Sequence, residues 1–187
     1  MEDKTALTDI KIPAGIEEIL CRYPLYDYRM IDSGTIPFSD RVRTVCRDYC
    51  PMYGKRWHCP PAVGPVGDCR RELLVYPQAL VFSTIDEADT ENLAELLSMR
   101  KQHEEITADL AADLTAAGYQ IKVLSSGCIP CEKCTYPDAP CRFPDKAFPT
   151  IESNGIVFAE LADNCEMELS CGSGTVTYFS IIFMLST

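Results

Sequence analysis

Cysteines in this chain are concentrated in two groups, and such groups most often build a metal centre. The first group is Cys46, Cys50 and Cys59, and the second is Cys128, Cys131, Cys134 and Cys141. Thiolates at short spacings bind metal ions or clusters readily, because one loop can present several of them to the same centre. Each group therefore predicts a loop folded around an inorganic core.

In the second group, two successive two-residue gaps separate the first three cysteines. Bacterial ferredoxins use the same run to bind a four-iron cluster, with the fourth cysteine three residues further on and followed by proline. Here Cys141 follows after six residues. Structural zinc usually takes two cysteine pairs a dozen or more residues apart. The spacing favours a 4Fe-4S cluster ligated by Cys128, Cys131, Cys134 and Cys141, then zinc, then disulfides.

Gaps of three and eight residues separate the three cysteines of the first group. These thiolates can hold a second four-iron cluster, with Cys69 or a non-protein ligand at the fourth iron. Prolines and glycines punctuate the segment and predict an irregular loop over residues 46–69, whose amide N–H groups can point at the sulfurs. The chain would then carry one or two clusters.

A basic segment surrounds the first cysteine group. Between residues 41 and 71 the chain has seven basic and two acidic residues, whereas the whole chain has a net charge of -11. Cations offset the negative charge of a thiolate-bound cluster, and they equally attract a small anionic substrate. A solvated basic loop is the third interpretation. The candidate cofactor-binding residues are Lys55, Arg56, Trp57 and His58, which directly precede Cys59.

Composition favours one domain over residues 1–187, in the cytoplasm. The N-terminus lacks a basic region followed by an apolar stretch, so we expect no secretory signal. Eleven cysteines is an odd number, and a reducing compartment would keep them as thiols. The acidic net charge argues against nucleic acid and anionic membranes, but it suits docking to a basic redox partner protein. The sequence carries no signal for an oligomeric state.

Hydrophobic patterning predicts an α/β fold with a small mixed sheet. Strand-like segments near 26–30, 78–85, 120–124 and 175–185 are separated by helical ones, of which the longest runs from about 90 to 117. The strand-helix-strand arrangement over 78–124 implies a parallel pair. The second cysteine loop, over 125–144, then begins at the carboxyl end of a strand, where open parallel sheets place ligand sites.

Other polar and aromatic residues receive structural interpretations. The polar stretch Ser98 to Glu105 predicts a solvated part or a break of the long helix, with His103 as a solvated side chain. The tyrosines beside the cysteines are expected to pack as a lid that keeps water off the sulfurs. These are Tyr49, Tyr53 and Tyr136. Buried thiols are the expectation for Cys21, Cys165 and Cys171.

The two cysteine segments together resemble the marks of a known family. They read Cys46-x3-Cys50-Pro-x-Tyr-Gly-Lys-x-Trp-x-Cys59-Pro-Pro and Cys128-x2-Cys131-x2-Cys134, followed by Pro-Cys141-Arg-x-Pro. This pattern resembles a family of small predicted metal-binding proteins of unknown function, found mainly in anaerobic bacteria and archaea. The resemblance implies iron-sulfur or other metal binding in an anaerobe's cytoplasm, and it implies no reaction.

Three functions follow from these observations. The first is a redox protein that passes electrons from one or two 4Fe-4S clusters to a partner protein. The second is an enzyme in which Cys46, Cys50 and Cys59 leave one iron open as a Lewis acid, with Lys55 or Arg56 holding a small anionic substrate. Ligation of that iron by Cys69 would exclude the second function. The third is a zinc-stapled interaction module.

Overall fold

A four-stranded sheet in the order β1-β2-β4-β3 forms the centre of the fold. The structure, a computed structural model, describes residues 10–144 and 146–186. The strands are β1 (Asp27–Asp32), β2 (Gln78–Glu87), β3 (Tyr119–Leu124) and β4 (Thr175–Ser186). The helices are α1 (Ala14–Leu20), α2 (Asp40–Tyr49), α3 (Val66–Leu73), α4 (Leu93–Ala116) and α5 (Phe158–Asn164), with short 3-10 helices at Ser33–Thr35 and Glu152–Asn154. The predicted single α/β domain is confirmed.

The sheet is antiparallel rather than mixed, which corrects one part of the prediction. Strands β2 and β3 run in the same direction on either side of the helix α4, but they do not pair with each other. Strand β4 lies between them and pairs antiparallel with both, with Ile181 opposite Val81 and Ile182 opposite Val123. The most apolar strand thus takes a central position, where neighbouring strands cover both of its edges. A local strand-helix-strand pattern cannot reveal that a strand from the end of the chain is inserted.

Helices cover both faces of the sheet, so side chains on both faces of the central strands are buried. On one face, Leu80 and Phe82 of β2 pack with residues of α1 and α4. On the other face, Ala79 and Val81 pack with residues of α3, α5 and the segment around Ile156. Because successive side chains point to opposite faces, a strand covered on both sides reads as a continuous apolar run. This burial explains why β2 and β4 were recognisable from the sequence.

The long helix α4 packs on the sheet from His103 onward, and its first two turns contribute no buried residue. Its first turn is capped by the Asn92 side chain, which accepts a hydrogen bond from the Glu95 N–H at 3.3 Å. Leu93 is 68% exposed. In contrast, His103 and Glu104 of the polar stretch are buried, at 1% and 5% exposure. The expectation that His103 is solvated is therefore wrong, because sheet hydroxyls supply the partners that let a polar stretch face inward.

Helix α4 ends as the sequence predicts. Gly118 follows it with φ of +95°, a left-handed conformation that glycine adopts without strain. Strand β3 then starts at Tyr119 and delivers the chain to the second cysteine loop. Within the described ranges 10–144 and 146–186, no helix is long and apolar enough to cross a membrane.

Candidate metal centre

The first cysteine group begins at the C-terminal end of α2. The Ser39 hydroxyl caps the start of this helix by accepting a backbone hydrogen bond from its first turn. At the other end, the Cys50 N–H donates to the Cys46 carbonyl oxygen at 3.2 Å. Cys46 lies in the last turn of α2 and Cys50 ends the helix, so this hydrogen bond holds the two cysteines one turn apart. The predicted irregular loop is partly helical, because α2 includes Cys46 and α3 includes Cys69.

The turn after α2 brings the third cysteine back to the first two. Gly54 has φ of +68°, and its N–H donates to the Pro60 carbonyl oxygen at 2.8 Å. This hydrogen bond closes the segment that carries Cys59. The Cys59 thiol interacts electrostatically with both Cys50 and Cys46, and burial together with these thiols raises its pKa. The three cysteines therefore lie close together.

The second cysteine loop leaves the sheet through a constrained glycine. Gly127 has φ of +124°, and a Cβ atom there would lie 2.9 Å from the Arg100 Nη2 atom and 3.0 Å from the Thr150 Cγ2 atom. A side chain at this position would therefore both strain the backbone and collide with its neighbours. This tight packing fixes the path of the chain directly before Cys128.

The four cysteines of the second group also converge. The Cys128 thiol interacts electrostatically with Cys131, Cys141 and Cys134, and these interactions, after the larger effect of burial, raise its pKa to about 12. The Cys128 sulfur is therefore near enough to the other three for negative charge on them to oppose its deprotonation. Metal binding requires deprotonated sulfur atoms, and the positive charge of the bound metal offsets the repulsion between them.

A buried hydrogen-bond network, which the sequence analysis missed, supports the start of the second loop. Its members are Thr84, His103, Glu104, Thr107, Ser125, Ser126 and Ser180. The Glu104 Oε1 atom accepts from the Ser125 and Ser126 hydroxyls at 2.8 and 2.6 Å. The His103 Nε2 atom is 2.8 Å from the Ser180 hydroxyl. Ser180, the one polar residue in the apolar run 179–185, was the signal in the sequence.

Three consecutive residues of the first segment dock on the second loop. The Arg56 Nη1 atom donates to the Cys128 carbonyl oxygen at 2.7 Å. The Trp57 Nε1 atom donates to the Ala139 carbonyl oxygen at 2.9 Å, and its ring meets Tyr136 edge-on with ring centroids 4.9 Å apart. The two cysteine segments, 72 residues apart at Arg56 and Cys128, therefore form one surface.

His58 is the third docked residue. Its Nε2 atom lies 3.9 Å from the Sγ atom of Cys141, and burial lowers the pKa of its imidazole. A cavity of about 530 Å³ lies between the two segments and is lined by Trp57, His58 and residues 137–141. His58 is therefore a half-buried residue beside the second cysteine group and not a solvated loop histidine.

The two thiol groups are neighbours in space. The Cys59 thiol interacts electrostatically with Cys134 of the second group. The Arg56 guanidinium lies close enough to lower the pKa of both Cys59 and Cys128 against the larger effect of burial. One cation thus serves both groups, and two bound centres would be adjacent rather than independent.

Cys69 occupies a different environment. Its thiol is buried, donates to the Val63 carbonyl oxygen at 3.2 Å and accepts from the Arg43 Nη2 atom at 3.5 Å. Burial raises its pKa, and the charges of Arg43 and Glu72 act on it in opposite directions. These contacts place Cys69 beside Arg43, between α2 and α3.

The remaining sequence candidates fall outside the docked surface. Lys55 is exposed, and Tyr49 is 82% exposed, so Tyr49 forms no part of a lid. Cys21 is exposed, contrary to expectation, because it ends α1 on the solvent side. Cys165 is buried as expected, and Cys171 is half-buried beside Tyr26.

Within the described part of the chain, no three histidine, cysteine, aspartate or glutamate side chains stand close enough to share one metal ion. A tetrahedral zinc site needs all its sulfurs at about 2.3 Å from one ion. A four-iron cluster takes its four thiolates on different irons, so its ligand sulfurs stand farther apart. Neighbouring thiols with a nearby imidazole are the soft donors that zinc and iron-sulfur centres prefer. The residues present fit a sulfur-ligated centre.

An α/β domain with two neighbouring thiol groups on one surface defines a cysteine-rich metal-binding protein. The chain belongs to the family described as "Predicted metal-binding protein (DUF2284)", whose model matches residues 29–184. The matched range begins in β1 and ends in β4, so it includes the whole sheet order and both cysteine groups. No curated protein and no solved structure matches the chain. The predicted resemblance to a metal-binding family is confirmed.

Proposed function

We propose that this protein binds 4Fe-4S clusters and transfers electrons to a protein partner. Cys128, Cys131, Cys134 and Cys141 ligate one cluster, and the three cysteines of the first group hold a second. When bound, such clusters supply one-electron redox chemistry at potentials that depend on charge, hydrogen bonding and exposure. The residues of this chain hold the clusters, offset their charge and limit the access of water.

The observation that carries this proposal is the docking of residues 56–58 on the second loop. It brings Cys59 within electrostatic reach of Cys134 and places the Arg56 guanidinium between the groups. Adjacent centres favour electron exchange, and a shared cation favours the reduced, more negative state of both. The seven converging thiols fit this role better than they fit a single structural ion.

The partner of this proposal has a basic surface. The chain carries a net charge of -11, and its basic residues are concentrated in the segment 41–71. Much of the remaining surface is acidic, and an acidic surface attracts a basic partner and raises the rate of encounter at low salt.

The environment of Cys69 favours a second candidate function. The Cys69 thiol contacts Val63 and Arg43. The first group then supplies three cysteines for the four irons of a cluster. An iron without a cysteine ligand can act as a Lewis acid on a small anionic substrate. Arg56 does not fit the earlier expectation of a substrate clamp, because it donates to the Cys128 carbonyl oxygen. A zinc-stapled interaction module is the outcome that elemental analysis would reveal instead.

The test is anaerobic purification followed by iron and acid-labile sulfide analysis, and then reductive titration monitored by electron paramagnetic resonance. We expect about four irons per chain for one cluster or about eight for two, and a reducible signal. Cys131→Ser should lower the iron content by about one cluster, whereas Cys21→Ser, an exposed thiol outside both groups, should leave it unchanged. Zinc without iron, or iron without a reducible signal, would contradict the electron-transfer proposal.

A further inference from the structure

A groove between α2 and residues 60–65 lies beside the first cysteine group and is explained by none of the functions above. Its cavity measures about 450 Å³, which is within the range of small-ligand pockets. The polar residues that line it are Asp40, Arg43, Thr44, Arg47 and Tyr53. Four of these five belong to α2, so one face of this helix forms a polar wall.

Helix geometry places the groove next to the cysteines. Arg43 and Arg47 are four residues apart and lie side by side on α2. Cys46 follows Arg43 by three residues within α2, which at 3.6 residues per turn is about one-sixth of a turn away, and Cys50 ends the helix. A ligand in the groove would therefore border the sulfurs of the first group.

Arg43 retains an unused hydrogen-bond donor. Its Nη2 atom donates to the Gly64 carbonyl oxygen at 3.0 Å and to the Cys69 sulfur at 3.5 Å. Its Nε atom is buried and has no hydrogen-bond partner among the described residues. Buried polar atoms of this kind are rare in native proteins and often mark a bound water or ion. Arg43 also lines the groove, so an acceptor oxygen of a ligand there would meet its guanidinium group.

Arg47 provides the second cation. It pairs with Asp48 at 2.8 Å, but both side chains are largely exposed, at 60% and 41%. Exposed ion pairs contribute little, so an anionic ligand can take the place of Asp48. Two guanidiniums, with the hydroxyls of Thr44 and Tyr53, form a binding set for a carboxylate.

Asp40 restricts which anion fits. Its carboxylate shares the groove with the two arginines and would repel a dianionic phosphate. It would instead accept a hydrogen bond from a ligand hydroxyl or ammonium group. We propose that this groove binds a small carboxylate that also carries a hydroxyl or ammonium group. Its role as a substrate site rests on the second candidate function, with Arg43 and Arg47 in the place expected for Lys55 and Arg56.

The test is isothermal titration calorimetry on the full-length protein purified anaerobically, with malate, succinate and inorganic phosphate as probes. We expect malate to bind more tightly than succinate or phosphate. Arg47→Gln should weaken malate binding about tenfold, the loss of one charged hydrogen bond. Arg41→Gln removes the same charge from an α2 position outside the groove lining and should change binding less than twofold. Asp40→Ala should abolish the preference for malate over succinate, because it removes the acceptor for the malate hydroxyl.

Absence of measurable binding at about 1 mM malate would overturn the groove site. Equal losses in the Arg41 and Arg47 variants would also overturn it, since they would indicate a general charge effect. Tighter binding of phosphate than of malate would refute the ligand class. Iron and sulfide are measured on the same sample, so the two proposals fail separately. If the protein contains iron but does not bind malate, only the groove proposal is refuted. If it contains no iron but binds malate, only the cluster proposal is refuted.

Discussion

The Arg56 guanidinium donates a 2.7 Å hydrogen bond to the carbonyl oxygen of Cys128 and thereby joins the two cysteine segments of this protein. The bond runs from the residue three positions before Cys59 to the first cysteine of the second group. Trp57 and His58 extend the same contact along the second loop. The second loop is thus held at its start by the sheet and along its length by the first segment.

Trp57→Phe tests this contact. The change removes the Nε1–H donor to Ala139 but keeps an aromatic ring for Tyr136. We expect a loss of about 1 kcal/mol in the free energy of unfolding, measured by urea denaturation followed by circular dichroism. We also expect faster proteolysis within residues 125–144.

Tyr178→Phe is the matched control, because it removes a 2.7 Å hydrogen bond to the Leu96 carbonyl oxygen elsewhere in the fold. It should lower stability by a similar amount without exposing the second loop to protease. Equal cleavage of both variants within residues 125–144 would show that Trp57 does not hold that loop.

Gly127→Ala tests the tight entry to the second cysteine loop. Its Cβ would meet Arg100 and Thr150 at about 3 Å, and its φ of +124° is strained for alanine. We expect a destabilisation of about 1–3 kcal/mol in thermal unfolding and a lower metal content. Gly172→Ala has a comparable φ of +109° but open space around its Cβ. Gly172→Ala should therefore show the effect of backbone strain alone. If both variants have the same metal content, the collision with Arg100 and Thr150 does not matter for metal binding.

The buried imidazole of His103 predicts acid sensitivity. Burial lowers its pKa from 6.5 to about 4. The folded state then binds fewer protons than the unfolded state between these values, so stability is full above pH 6.5 and falls as the pH drops towards 4. The loss should reach about 3 kcal/mol. We expect His103→Gln to remove this loss of stability between pH 7 and pH 4.5, measured by urea denaturation at both values. An unchanged dependence of stability on pH would show that His103 is not its source.

The buried carboxyl group of Glu104 predicts that stability changes with pH in the opposite direction. Burial raises the pKa of its carboxyl group above the ordinary value of 4.5, despite the hydrogen bonds from Ser126 and Ser125. The folded state therefore binds more protons just above pH 4.5, and stability decreases as the pH rises through the folded pKa. Glu104→Gln should remove this decrease when unfolding is measured from pH 4.5 to 8. Glu105→Gln, at an exposed neighbour, should retain it.

Local sequence patterns were sufficient for much of the fold. The predicted strands at 78–85, 120–124 and 175–185 lie close to their observed positions. For the central strands β2 and β4 the reason is that burial on both faces leaves a continuous apolar run. Gly118 marked the end of α4 through its conformational freedom. The direction of strand pairing was not predictable, since the position of β4 between β2 and β3 depends on contacts between residues about 60 to 100 positions apart.

The cysteine spacing by itself determined that this chain carries two thiol groups suited to metal binding, because ligand chemistry depends on which atoms one short loop can present. Only the tertiary structure decided that Arg56, Trp57 and His58 join the two groups into one surface. It also decided that Cys69 pairs with Arg43 and that a polar stretch of α4 lies buried behind the second loop. These relations arise from packing between distant segments, and such packing leaves no periodic trace in the sequence.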